Sequence, residues 1–525
     1  MNGTKWTKVL TLTLALALLL TTLGGFGLQS AQAQGTRDAG GLQLPLVDQV
    51  TKISWMVMSP LQNLNELPIV QEIKKRTNVE LDIQAYPDTT YVEKLKMVVG
   101  SGSMPDIIGA LSLAEMNTYG EQGAFEPINK HLDVLPNFKS IFVDDPANSW
   151  MQYSYSSDAG NLYFWPIYGL NRDVNFGYMY RADIFQKNNL KPWTNLDEFY
   201  DNMKALKAIY PDSYPFASKS GATFFSRQAT YWGVDCDAMW PYYYNEEAGL
   251  WKFAGTDDQF KAMLDFWKKC YNEGLLDPEF LTDTQDTWTG KITTDKSFII
   301  NDWIGRLELL PAQMKDVNPD FDLRYGMPIG STGKQFPLRK FTAWGPVVTA
   351  GANAEVALKL LDYLSSPEGS ELFTIGIEGE TFTWDENGKP YYPELKDEPF
   401  IDINLLGERY GMWTEGMYLR PDHRSIYYNF TQREQEAQDM FVKNNLFSVL
   451  DPVIKLSNDE SAIFAENASS LQKELETFAS QYIMEKTFGD AQWEEWKTKA
   501  AQLQEGKVAD ALNAAQKRYD ESTSK

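Results

Sequence analysis

Thr89 to Pro127, TTYVEKLKMVVGSGSMPDIIGALSLAEMNTYGEQGAFEP, reads as helix, turn, buried strand, helix. Thr90 and Glu93 have the Ser/Thr-x-x-Glu spacing of a capping box. Val92, Leu95 and Val99 fall at i, i+3 and i+7, which predicts one apolar helix face. Gly100-Ser101-Gly102 should end that helix, because glycine accepts the left-handed cap. Pro105 cannot donate to a ladder and belongs at a strand start. Asp106 to Ala110 then predicts a short buried strand, and Leu113 to Gly123 a second helix. Upstream, Lys52 to Met58 and Val79 to Ala85 read as strands on either side of a helix over Glu66 to Thr77. Repeated β-α-β units imply an α/β fold with a mostly parallel sheet. Ligands of such sheets bind outside the carboxyl ends of the strands. Gly109 to Ser112 should therefore face a crevice.

The chain has 525 residues, more than one core accommodates, so at least two domains are expected. Asp and Glu number 72 against 48 Lys and Arg, a net charge of −24. That excess argues against nucleic-acid binding, which needs a basic face. The two cysteines, Cys236 and Cys270, and two histidines, His131 and His423, nearly exclude a structural Cys/His zinc site. One disulfide between the cysteines stays open. Residues 1–33 read as a signal peptide: Lys5 and Lys8 precede an apolar run from Val9 to Leu20, and Ala31-Gln32-Ala33 fits a cleavage site. No cysteine in that region is available to take a lipid. Residues 34–48 read as a loose Gly-rich arm.

Further along, Leu162 to Ile167 and Phe176 to Tyr180 are expected strands, and Thr194 with Asp197 an expected helix cap. Ser218 to Tyr244 is dense in aromatic rings without clean periodicity. Sugars bury C–H faces on rings, so Tyr231, Trp232 and Trp240 are candidate platforms, with ordinary packing as the alternative. Ser297 to Asn301 reads as a buried strand that ends in Asp302-Trp303. Tyr325 to Gly330 and Thr342 to Ala350 read as strands returning to the first domain. Thr383 to Glu394 overlays a calcium loop only in part, and a hairpin turn at Asp385 to Gly388 explains it better. Phe464, Ala468, Leu471, Leu475, Phe478 and Tyr482 step by four and three along a long amphipathic helix. Gly330 to Gln335 lacks the upstream glycine and final hydroxyl of a P-loop. No G-x-S-x-G or HExxH occurs.

Several segments carry a resemblance. SGSMPDIIGA followed by YGEQGAFEPI, then DYLSSPEG and GIEGETFTWDENGKPYY, resemble the family 1 extracytoplasmic solute-binding proteins, the sugar-capturing components of ABC importers. The later segments are most similar to the branch that includes binders of alginate- and pectin-derived oligosaccharides. The resemblance implies a two-lobed periplasmic-binding-protein fold of type II with a hinge and C-terminal helices. On that pattern residues 49–171 and 335–400 form lobe 1, and 172–334 and 401–525 form lobe 2. It also implies that Trp303 stacks on sugar, that Trp413 is a second platform, and that Asn171 and Arg172 meet ligand near the hinge. Ser112 is the expected polar contact from lobe 1. Arg172, Arg306 and Arg409 are candidates to pair with uronate carboxylates, so neutral and acidic sugars both stay open. The expected role is non-catalytic capture of an oligosaccharide by a monomer outside the cytoplasm, with delivery to ABC permease subunits and no cofactor, metal or nucleic acid. A secreted glycoside-active enzyme, or a sensor or adhesin on the same fold, are the alternatives.

Overall fold

The strand Thr51–Met58 buries Ile53, Trp55, Met56 and Val57, residues from both of its faces, so it must lie inside a sheet covered on two sides. The computed structural model describes residues 38–148, 150–168, 172–237, 239–343 and 345–523, and in it this strand is central. It runs parallel to Val79–Tyr86 on one side and to Ile107–Ile108 on the other. Val347–Val348 closes the sheet antiparallel to Ile107–Ile108. The expected signal peptide lies outside the described residues, as do residues 34–37 of the expected loose arm, whereas Ala39, Leu42, Leu46 and Val47 of that arm pack against the first core. Among the described residues no helix is long and apolar enough to cross a membrane.

Helices flank this sheet. Asp88–Ser101 has Pro87 as its N-cap, three residues before the expected Thr90 cap, and Gly102 ends it with φ +70°. The earlier start changes the buried face, which is Tyr91 and Leu95, while Val92 is 49% exposed. Leu113–Glu121 is capped by Ser112 in a full capping box with Glu115. Ala354–Ser365 and Pro367–Thr374 complete the first core.

The second sheet has the order Leu323–Tyr325, Phe176–Arg181, Ile299–Trp303, Phe216–Ala217. Phe176–Arg181 is antiparallel to both neighbours, and Ile299–Trp303 is parallel to Phe216–Ala217. Alternation along the strands splits the packing: Tyr178, Tyr180, Phe216 and Ile299 enter one core, while Met179, Ala217 and Ile300 enter another on the opposite face. The long helix Asn458–Met484 lays Leu471, Leu475, Phe478 and Tyr482 on the first of these cores, as its periodicity predicts. Gly177 is required where it stands, because a Cβ there would lie 1.7 Å from the Tyr325 hydroxyl.

Two expectations move. Leu323–Tyr325 pairs within the second sheet rather than returning to the first. The segment after Phe400, expected in lobe 2, packs Leu406, Tyr410, Met412, Met417 and Tyr427 into the first core. Further on, Ala437 and Phe441 join the second-sheet side. The chain thus passes between the two sides after Tyr168, between Gln335 and Phe341, and between Tyr427 and Ala437. An antiparallel pair, Ile167–Tyr168 with Phe341–Thr342, stands where two of these passages meet the first core. At the cap of the helix Leu196–Ile209, Asn195 accepts from Glu198 N, while Thr194 donates to the Glu198 carboxylate, so the expected Thr194–Asp197 box is displaced by one residue. The hairpin is as expected: Thr383–Trp384 pairs with Pro390–Tyr391, and Asp385 accepts from Asn387 N and Lys389 N. Cys236 and Cys270 are both buried and free.

Candidate functional site

The parallel strands Phe216–Ala217 and Ile299–Trp303 end side by side. The loop after the first carries Lys219 and Ser220, and the second ends in Asp302 and Trp303 with Arg306 just beyond. Phe176, which opens the antiparallel strand alongside, sits opposite Trp303 in register. This is the carboxyl edge, the side on which ligands of such sheets bind. The segment that enters from the first core, residues 172–175, arrives at the same edge and is held there by Ile304 N donating to Asn175 O.

Trp303 is 43% exposed although its neighbours along the strand are buried. Its ring meets Phe176 edge-on, with centroids 5.4 Å apart and planes at 85°. Arg227, on the helix Thr223–Ala229, lays its guanidinium 4.1 Å from the Phe176 centroid and 5.7 Å from that of Trp303. Its Nη1 donates to Ser220 Oγ at 2.9 Å. No carboxylate of the described residues lies within ion-pair distance of it, and burial holds its pKa below the ordinary arginine value. Asp302 is buried and takes Lys219 Nζ at 2.7 Å and Arg306 Nε at 3.4 Å. Lys219 and Arg306 also stand over the ring of the buried Trp288, and Arg306 Nη2 donates to Gln285. Arg227 therefore stands beside the exposed indole, while Lys219 and Arg306 share the carboxylate of Asp302, the residue next to it in the strand. Rings offer apolar faces and the cations offer hydrogen-bond donors at the ring edges, a set suited to a polar ligand with C–H faces.

The other sequence candidates are dispersed. Tyr231 is buried under the second sheet, and its hydroxyl accepts from Asn301 Nδ2 at 2.8 Å. Trp232 is buried against Phe266. Trp240 is half-buried against Phe260, with Nε1 on Glu476 of the long helix. Trp413 is buried in the first core between Tyr418 and Tyr427, and its Nε1 donates to Thr374 O. Tyr231, Trp232 and Trp413 are covered by their own cores, and Trp240 packs half-buried against the second. Arg172 is also buried: it faces Glu434 at 2.8 Å and lies 4.5 Å from the ring centroids of Tyr427 and of Phe430. It ties two inter-core passages together. Asn171 lies outside the described residues. Ser112 is exposed, but its hydroxyl is committed to Glu115. Arg409 reaches Glu398 on the exposed surface of the first side.

Arg227, Lys219 and Phe176 are the residues that sequence reasoning missed. Arg227 sits inside the aromatic-dense stretch, where attention falls on the rings. A separate cavity of about 450 Å³ lies beside the passage at 339–341, walled by Trp150, Tyr244, Asp451 and Tyr519. There Arg339 pairs with Asp237 and donates to Asp451 O, and the Asp451 carboxylate accepts from Asp237 N and Tyr244 N.

The model of a bacterial extracellular solute-binding protein matches residues 68–377, more than half of the chain. The chain belongs to that family. It is 23% identical over 490 residues to lipoprotein LipO of Bacillus subtilis, covering 88% of this chain and 90% of LipO. It is 25% identical over 292 residues to the polygalacturonan/rhamnogalacturonan-binding protein YtcQ of the same organism, about half of each chain (53% and 53%). Its fold is similar to the crystal structure of the alginate-binding protein AlgQ2 without calcium ion, with a TM-score of 0.76 and 22% identity over 90% of this chain and 99% of that one. The two-lobed α/β architecture read from the sequence is thus the fold of this chain.

Proposed function

We propose that this protein captures an oligosaccharide between its two lobes, without turning it over, and presents it as a monomer to the membrane subunits of an ABC importer. The observation that carries the reading is Trp303: a large ring left 43% exposed at the carboxyl edge of the second sheet, among charged hydrogen-bond donors. A buried sheet has no packing reason to present an indole there, and a sugar face is the chemical partner of such a ring. Family membership supports solute capture, and the names of YtcQ and AlgQ2 support a carbohydrate as the solute. Closure of the lobes on the ligand, by rotation about the passages between them, is the motion such a two-sided arrangement allows.

The test is calorimetric titration with a panel of oligosaccharides, followed by chromatography of the recovered sugar. The native chain is expected to bind at least one class and return it unchanged. Trp303→Ala should weaken that binding by about 2 kcal/mol, roughly 30-fold in Kd. Equal affinity of native and variant would overturn the stacking role, and a shortened product would overturn capture without turnover.

A further inference from the structure

We infer that the subsite beside Trp303 receives a carboxylate, so that the captured oligosaccharide contains an acidic sugar unit held by the Arg227 guanidinium. The inference rests on the capture reading and narrows it. Its basis is a charge imbalance in one place. The whole chain carries −24, yet at this edge Lys219 and Arg306 share the carboxylate of Asp302, and Arg227, on the neighbouring helix, has no ion pair among the described residues. Asp302 is fully engaged by Lys219, Arg306 and its neighbour's backbone, Trp303 N donating to Oδ1 at 2.7 Å. Its charge reaches Arg227 only at a distance, with no ion pair between them.

Arg227 differs from the other well-covered arginines. Arg181 is fully buried and meets Asp183 and Asp295. Arg76 meets Glu72 and Glu368, and Arg172 meets Glu434. Arg227 has a ring under one face and one serine hydroxyl on one nitrogen. A half-buried guanidinium without an ion-paired counter-charge is an unfavourable arrangement, and lobe closure would remove still more water from it. A ligand carboxylate meets the need directly, since the guanidinium fork matches it with two parallel hydrogen bonds. Neutral hydroxyls accept from the same donors but leave the charge unmatched. Trp303, within 5.7 Å of the same guanidinium, sets the sugar ring that bears the carboxylate. Arg306, whose link to Asp302 is the longer one at 3.4 Å, is placed to add a second cation.

The probes are galacturonate and alginate oligomers, each beside its own carboxyl-reduced form, which keeps the linkages and loses the charge, together with neutral oligosaccharides. Titrations use the full chain, Arg227→Gln and Arg306→Gln, with circular dichroism and melting temperature to show that each variant is folded. The expected result is at least 30-fold preference for one acidic oligomer over its reduced form. That preference should weaken as salt is raised and fall to within about threefold in Arg227→Gln. Arg306→Gln should fall between the two. Tight binding of a neutral oligomer that Arg227→Gln leaves intact would overturn the acidic subsite while preserving capture. Equal binding of acidic and reduced forms would do the same. Binding of no sugar by the folded native chain would overturn the capture reading itself.

Discussion

Replacement of Arg172 by methionine tests whether this residue is a tie between passages or a ligand contact. The side chains of Arg172 and Glu434 are 7% and 9% exposed, and they face each other at 2.8 Å. Methionine keeps much of the volume between Tyr427 and Phe430 but leaves the Glu434 carboxylate buried without its cation. Breaking a buried pair from one side costs about 3–5 kcal/mol. The lower end is expected here, because Thr431 N still donates to Glu434 Oε2 at 3.0 Å and keeps part of the charge solvated by the backbone. Adding Glu434→Gln removes the stranded charge while preserving an oxygen for that cap. The double variant should therefore be only about 1–2 kcal/mol below the native chain, less than Arg172→Met alone, which is the signature of coupling between the two positions. Urea unfolding followed by tryptophan fluorescence measures the cycle, and amide exchange over 172–176 and 432–441 localises it. A double variant as unstable as Arg172→Met, or a single cost under about 1 kcal/mol, would refute the buried-pair reasoning. Loss of oligosaccharide affinity at unchanged stability would restore Arg172 as a ligand contact.

Three further outcomes follow from the packing. Burial raises the Asp362 carboxyl from 3.8 to about 6, outweighing donation from Asn137 N, Asn137 Nδ2 and Phe138 N. Because its folded pKa lies above the unfolded one, the stability it contributes is complete below pH 3.8 and lost as pH rises through about 6. Relative to Asp362→Asn, the native chain should lose up to about 3 kcal/mol between pH 4 and pH 7 in parallel melts, and parallel curves would contradict this. Gly177→Ala forces a Cβ to within 1.7 Å of the Tyr325 hydroxyl, which donates to Phe176 O at 2.6 Å. It should cost about 1–3 kcal/mol, partly recovered in Gly177→Ala/Tyr325→Phe, and a variant as stable as the native chain would remove the argument. Both cysteines are buried and free, so reductant should leave the melting temperature unchanged, and alkylation after unfolding should label two thiols.

What was legible in the sequence divides along physical lines. Thr51–Met58, Val79–Tyr86 and the helix Asn458–Met484 were legible because their burial is continuous or strictly periodic, and periodicity is local information. The helix Asp88–Ser101 was legible with Leu95 and Val99 on its core face, but it is capped three residues earlier than expected and Tyr91 rather than Val92 enters the core. Aromatic density does not say which rings are free: Tyr231 and Trp232 lie beneath the sheet, and Trp303, in another segment, is exposed. A ring's identity records that it must be covered by something, and only the tertiary arrangement decides whether protein or ligand does it. The same holds more sharply for charge. Arg181 and Arg227 are indistinguishable as letters. The first is matched by Asp183 and, from far along the chain, by Asp295. The second has Phe176 beneath it, Ser220 at one nitrogen and no carboxylate of the described residues within ion-pair distance. An unmatched charge is defined by what is missing around it, which no local pattern encodes, and for that reason the residue most informative about the ligand emerged only once the loops after two parallel strands stood side by side.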